Sequence, residues 1–219
     1  MGFVNNNLLL RVLKEVRETP EVLDDVRNAH DLARAEEALL NQVGCTIGLP
    51  LTNGGTFDWK IASLGKLMRF FIDDAPHFKE FLQGVYAQHR GLPTDPWHLI
   101  IAEDELVPGA VLRLDNKKKM LAHYCSFSEF PARARKHTSA WLPLGFIRSS
   151  IMKTCSGGTS GVERHLLRHL FMGDASVRMQ GMVLPIGPRA DPVVIFVVMG
   201  ASVVDELAEF GAVEVRRCH

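Results

Sequence analysis

The chain has 219 residues, with Lys plus Arg equal to Asp plus Glu at 25 each, 47% hydrophobic and 23% charged. A chain of that size buries a sizeable core as one domain, or as one domain plus a small helical addition, and the composition excludes disordered, collagen-like and disulfide-framed classes. Zero formal net charge places any contact with a polyanion on local basic patches.

Cys45, Cys125, Cys155 and Cys218 are widely spaced and form no C-x-x-C pair, a pattern of free thiols in a reducing compartment. The apolar run Leu8–Leu10 stops at Arg11, too short for a secretory core, and no apolar span of ~20 residues occurs anywhere. Met1-Gly2 lacks the Ser or Thr that myristoylation needs, since position six is Asn6. These readings predict an intracellular protein, nuclear or cytoplasmic, neither secreted nor membrane-bound.

Leu9, Val12, Leu13 and Val16 recur at helical spacing, and Thr19-Pro20 then caps and starts a second helix through Val43, stopped by Gly44. A helical N-terminal arm over 1–44 is expected. Cys45 to Phe57 is rich in Gly, Thr and Pro and is expected to be a linker. A helical block over 57–92 follows, with Leu64, Leu67, Met68 and Phe71 marking one helix and Phe78, Phe81, Leu82 and Val85 another. These aromatics read as core.

From Trp97 the period changes, and an α/β region over 97–219 is expected. Trp97–Ala102 reads as a strand buried on both faces, running out into Glu103-Asp104-Glu105. Met120–Phe127 and Trp141–Ile147 read as two further strands, close enough for an antiparallel meander. Ser156-Gly157-Gly158-Thr159-Ser160 then opens an amphipathic helix to Phe171, with Val162, Leu166, Leu167, Leu170 and Phe171 inward. Met182–Ile186 is extended, and the β-branched run Val193–Met199 leads through Gly200 to Asp205-Glu206.

The order strand, strand, strand, helix, strand gives the acids their interest. If the first and last of these strands lie side by side, the two acid clusters converge. Converging carboxylates repel unless a cation neutralises them, and oxygen ligands suit Mg²⁺ or Mn²⁺. Solvated surface acids are the plainer alternative. Lys117, Lys118, Lys119, Arg133, Arg135, Lys136, Arg164 and Arg168 are candidate phosphate contacts, against the alternative of a solvated face that balances the acids. Ser156–Gly161 lacks the Lys of a phosphate loop and reads as a helix start. Cys155 with His165 and His169 suggests a thiol or metal site, but a polar helix face is the preferred reading.

Several segments resemble a family. Ile101-Ala102-Glu103-Asp104-Glu105-Leu106-Val107-Pro108-Gly109-Ala110-Val111-Leu112 resembles the DE-x-x-PGN-x-L segment of transposase-like proteins abundant in dinoflagellate genomes. Asp115-Asn116-Lys117-Lys118-Lys119 is similar to the N-(K/R)-(K/R)-K that follows it there, and Tyr124–Phe130 to Y-W-S-x-x-E-F. Phe146-Ile147-Arg148-Ser149-Ser150, Gly157-Gly158 and Asp58-Trp59-Lys60-Ile61-Ala62 also fit, so the match runs from about Phe57 to Glu206.

Such proteins are similar to CACTA-type DDE transposases. The resemblance implies an α/β (α+β) fold: a helical N-terminal region, then an incomplete ribonuclease-H-like mixed sheet with flanking helices. It also implies DNA as partner and Asp104 and Asp205 as the catalytic carboxylates that hold Mg²⁺ or Mn²⁺; their neighbours Glu105 and Glu206 are candidate helpers. Ala110 replaces the family's Asn, and the chain ends at His219, 14 residues after Asp205. The expectation is therefore a fragment or degenerate copy lacking its third acid, with an open sheet edge that favours self-association. The alternative is a non-catalytic DNA- or protein-binding module that keeps only the scaffold.

Overall fold

The computed structural model describes residues 42–106, 119–173, 176–204 and 215–217. The expected N-terminal helices lie almost wholly outside these residues. What is described is a mixed α+β fold built on a seven-stranded sheet, with a separate two-stranded ribbon.

The segment expected to be a linker is instead a hairpin. Strands β1 (Gly44–Pro50) and β2 (Thr56–Ala62) pair antiparallel from Gly44↔Ala62 to Pro50↔Thr56. Ile47 and Leu49 point to the core between exposed Thr46, Gly48 and Pro50, the alternation of a half-buried strand. The Gly, Thr and Pro residues that suggested a linker sit on the exposed side and in the turn. An isolated bridge, Leu51↔Cys155, and the bond from Ser156 N to Pro50 O at 2.8 Å fasten the hairpin end to a later loop.

Helices α1 (Leu64–Asp74) and α2 (Pro76–Gln88) follow as expected. Leu64, Leu67, Met68 and Ile72 form the buried face of α1, spaced three and four apart so that they share one side of the helix. Ala75 ends α1, its N–H bonding Phe71 O at 2.9 Å, and Pro76 starts α2 at a position where a missing N–H costs nothing.

Strands β3 (Trp97–Leu106), β4 (Met120–Phe127) and β5 (Leu142–Arg148) form the expected antiparallel meander. β2 joins its far side through Ile61↔Gly145, so the hairpin and the meander belong to one sheet. Gly145 makes that approach possible: a Cβ there would lie 2.9 Å from Ile61 Cγ2. Helix α3 (Gly158–Phe171) buries Val162, Leu166 and Leu170, each such side chain contributing roughly 1.5–3 kcal/mol. Strands β6 (Met182–Leu184) and β7 (Val193–Ile195) make the separate ribbon.

The run Val193–Met199 does not continue as one strand. It breaks at Phe196, whose N–H bonds Gly91 O at 2.8 Å, and β8 (Val197–Val204) then enters the main sheet. β8 lies parallel to β3, from Trp97↔Val197 to Glu103↔Val204, with one register shift between Leu99 and Ile100. Gly200 sits at that shift, where a Cβ would come 2.8 Å from His98 Cβ. β9 (Val215–Arg217) pairs on the outer side of β8, at the edge expected to be open. The final order is β1-β2-β5-β4-β3-β8-β9.

The core lies where α1, α2 and α3 cover the sheet, and it is anchored by Trp97. That side chain is fully buried, packs edge-on to Phe127 at 5.2 Å, and donates its Nε1–H to His89 O at 2.9 Å. Phe130 plugs the same cluster, 5.0 Å from Phe81 and 5.2 Å from Phe127.

Candidate functional site

The three acids do not lie beyond the strand; they are part of it. Glu103↔His123, Asp104↔Ala122 and Glu105↔Leu121 are paired positions of β3 and β4. Successive side chains of a strand face opposite sides, so Glu103 and Asp104 enter different surroundings.

Glu103 turns toward the helices. It is 7% exposed, and its Oε1 lies 3.2 Å from Nε2 of His123, which is completely buried. The Trp59 ring packs on His123 at 5.2 Å. From α3, half-buried Glu163 reaches the same spot and shares a hydrogen bond with Glu103. Partial burial pushes the Glu163 carboxyl up to about 7; the neighbouring Glu103 charge and the bond between them add to the rise, and His123 opposes it. Beside the Glu103 carboxylate, Glu163 holds its proton more tightly than a free carboxyl does. The result is a carboxyl pair and an imidazole wedged between sheet and helix.

Asp104 turns to the other face, half-buried beside Tyr124. Burial, and then the Asp104 charge, lift the Tyr124 hydroxyl to about 12. Phe146 meets the Tyr124 ring edge-on at 6.2 Å. Glu105, at the exposed end of the strand, forms an ion pair with Lys119. A candidate metal helper and a candidate phosphate contact therefore hold one another, in a partly exposed pair worth about 1 kcal/mol or less.

The parallel register of β3 and β8 ends at Glu103↔Val204, and Asp104 and Asp205 follow these two residues in the sequence. Asp205, Glu206, Lys117 and Lys118 lie outside the described residues. Among the described residues, no group of three or more His, Cys, Asp or Glu side chains is arranged to hold a metal ion. A metal set thus depends on Asp205 joining Asp104.

The remaining basic candidates divide. Arg133 and Lys136 are exposed around the single helical turn Ala132–Arg135. Arg135 is a brace: its Nε–H bonds Phe130 O at 3.1 Å, and its own carbonyl accepts Trp141 Nε1–H at 2.9 Å. All three follow the Phe127 end of β4, which pairs with Leu99, five residues and about 17 Å of strand from Asp104. Arg164 and Arg168 are exposed on α3. Among the described basic candidates, Arg133, Arg135 and Lys136 thus lie away from the acids, whereas Lys119 pairs with Glu105 and Arg164 follows Glu163 on α3.

Sequence reasoning missed His123 and Glu163. His123 was visible as the one imidazole in an otherwise apolar strand. Glu163 flanks the inward stripe of α3 beside Val162, but nothing in the sequence ties it to a residue 60 positions earlier. His169 finds its sulfur partner in Cys45, not in Cys155, whose Sγ contacts Ile151 O at 3.5 Å. Gly157 and Gly158, both at positive φ, start α3 as expected.

The class these observations define is a mixed α+β domain with acids on one strand end beside a parallel neighbour. Compared with known proteins, the chain matches no family model, no curated protein and no solved structure. Among the described residues no helix is long and apolar enough to cross a membrane.

Proposed function

We propose that the chain is a transposase-derived, nucleic-acid-processing protein whose reaction is metal-dependent DNA strand cleavage or transfer. One observation carries the reading: β3 and β8, the strands that lead to Asp104 and to Asp205, lie side by side and parallel. A ribonuclease-H-like core, as the resemblance implies, agrees with this order of an antiparallel meander, a helix and a parallel fourth strand.

Asp104 and Asp205 would hold Mg²⁺ or Mn²⁺, with Glu206 as helper; Glu105 serves that role only after releasing Lys119. The bound ions would activate the attacking oxygen and stabilise the leaving one on a phosphodiester. The chain's own residues set the stage. Tyr124 keeps its proton at neutral pH and can donate toward Asp104. Glu103, His123 and Glu163 fix the strand end from behind. Arg133 and Lys136 would touch the DNA backbone away from the acids, and Arg164 and Arg168 would touch it from α3.

That separation favours a second reading, a DNA-binding module without catalysis. Nicking of supercoiled DNA decides between the two. Under the first, nicking requires Mg²⁺ or Mn²⁺ and disappears in Asp104→Asn. Salt-dependent binding with no metal requirement and no nicking would select the second.

A further inference from the structure

The fold builds a thiol site that the acids do not touch. β1 carries Cys45 along the edge of the sheet, and the last turn of α3 packs over it. There His169 Nε2 lies 3.2 Å from Cys45 Sγ. Ser63 N–H bonds Val43 O at 2.8 Å, which sets the start of α1 against the start of β1, and from there the Lys66 charge draws the Cys45 thiol downward. Three elements thus bring together a nucleophile, a base and a cation.

Among the described cysteines, access sets Cys45 apart. It is half-buried and His169 is exposed, whereas Cys125 and Cys155 are buried. Burial holds the Cys45 thiol above its ordinary value, with Lys66 pulling the other way, and holds the His169 imidazole below its own. The resting pair is therefore a neutral thiol beside a neutral imidazole, and with the imidazole proton on Nδ1 the thiol proton needs to move only one hydrogen bond to expose a thiolate.

We propose that Cys45, His169 and Lys66 form a thiol-modification site at the seam of β1 and α3 that accepts anionic low-molecular-weight disulfides. The Cys45 proton passes to His169 Nε2, and the thiolate attacks one sulfur of the reagent. A new S–S bond forms at Cys45 as the reagent's S–S bond breaks. Cys45 is oxidised, the departing half is reduced, and that half leaves as a thiolate that takes the proton from the imidazolium. Lys66 favours a reagent with carboxylates, and the partly covered sulfur favours a small one.

The test treats the whole chain with glutathione disulfide and follows each cysteine by peptide mass spectrometry from about pH 6.5 to about pH 8. Proton transfer inside a neutral pair leaves the rate nearly independent of pH, so Cys45 should change less than about twofold across that range. It should also react at least about tenfold faster than Cys125 and Cys155. His169→Gln should restore a rise of about tenfold per pH unit, as for an ordinary thiol. Lys66→Gln should slow glutathione disulfide but not the cationic disulfide cystamine. Equal rates at Cys45, Cys125 and Cys155 would overturn the proposal. So would a tenfold-per-unit rise in the unaltered protein, which decides the matter even if a variant misfolds.

Discussion

Glu163→Gln should remove a pH-dependent weakness from the fold. Glu163 shares its hydrogen bond with buried Glu103, and its carboxyl rises from an ordinary 4.5 to about 7. A folded-state value above the unfolded one means that the folded protein binds this proton more tightly. The stabilisation is thus present in full below about 4.5 and is lost as pH rises through about 7. At the buried limit that rise corresponds to about 3 kcal/mol. Glu163 is only half-buried, and solvent screening reduces the figure to about 1–1.5 kcal/mol. Urea unfolding followed by fluorescence of the three tryptophans, at several values from about pH 5 to about pH 8, measures it. The stability of the original protein relative to Glu163→Gln should fall by about 1 kcal/mol across that range. Glutamine keeps a donor for Glu103, so the variant should gain relative stability at the alkaline end. Parallel stability curves, or a gap that moves the other way, would refute the account of a raised Glu163 carboxyl beside Glu103.

Three further outcomes follow from the packing and the basic residues. Trp97→Ala removes the fully buried ring at the centre of the Phe127 and Phe130 cluster, and denaturant unfolding should show a loss of about 3–5 kcal/mol. Arg135→Ala should cost about 1 kcal/mol of stability through its bond to Phe130 O, with little effect on DNA retention. Arg133→Ala should do the reverse, weakening DNA binding and lowering its salt slope by about one.

Much of the fold was legible where period and punctuation agreed. The helices from Leu64 and Pro76, the meander of Trp97, Met120 and Leu142, and the helix ending at Phe171 all carried clear apolar spacing. The β1–β2 hairpin was hidden because Gly48, Pro50 and Thr56 occupy exposed strand positions and read as loop, although Ile47, Leu49, Trp59 and Ile61 alternate inward. β3 was cut short at Ala102 because three successive acids look like solvent, whereas Glu103 is nearly as buried as the apolar residues before it. The break at Phe196 depends on Gly91 from another part of the chain. For the site, Asp104 was legible as an acid on a strand. The network of Glu103, His123 and Glu163 was not, since it joins three elements whose packing a linear pattern does not specify.

The adjacency of β3 and β8 makes divalent-cation binding at Asp104 and Asp205 the central claim. Mn²⁺ binding followed by electron paramagnetic resonance tests it most directly, on the unaltered chain and on Asp104→Asn, Asp205→Asn and Glu103→Gln. The account predicts saturable binding that either Asp substitution weakens by at least about tenfold, while Glu103→Gln leaves binding in place. Binding that is absent, or indifferent to both aspartates, would contradict it.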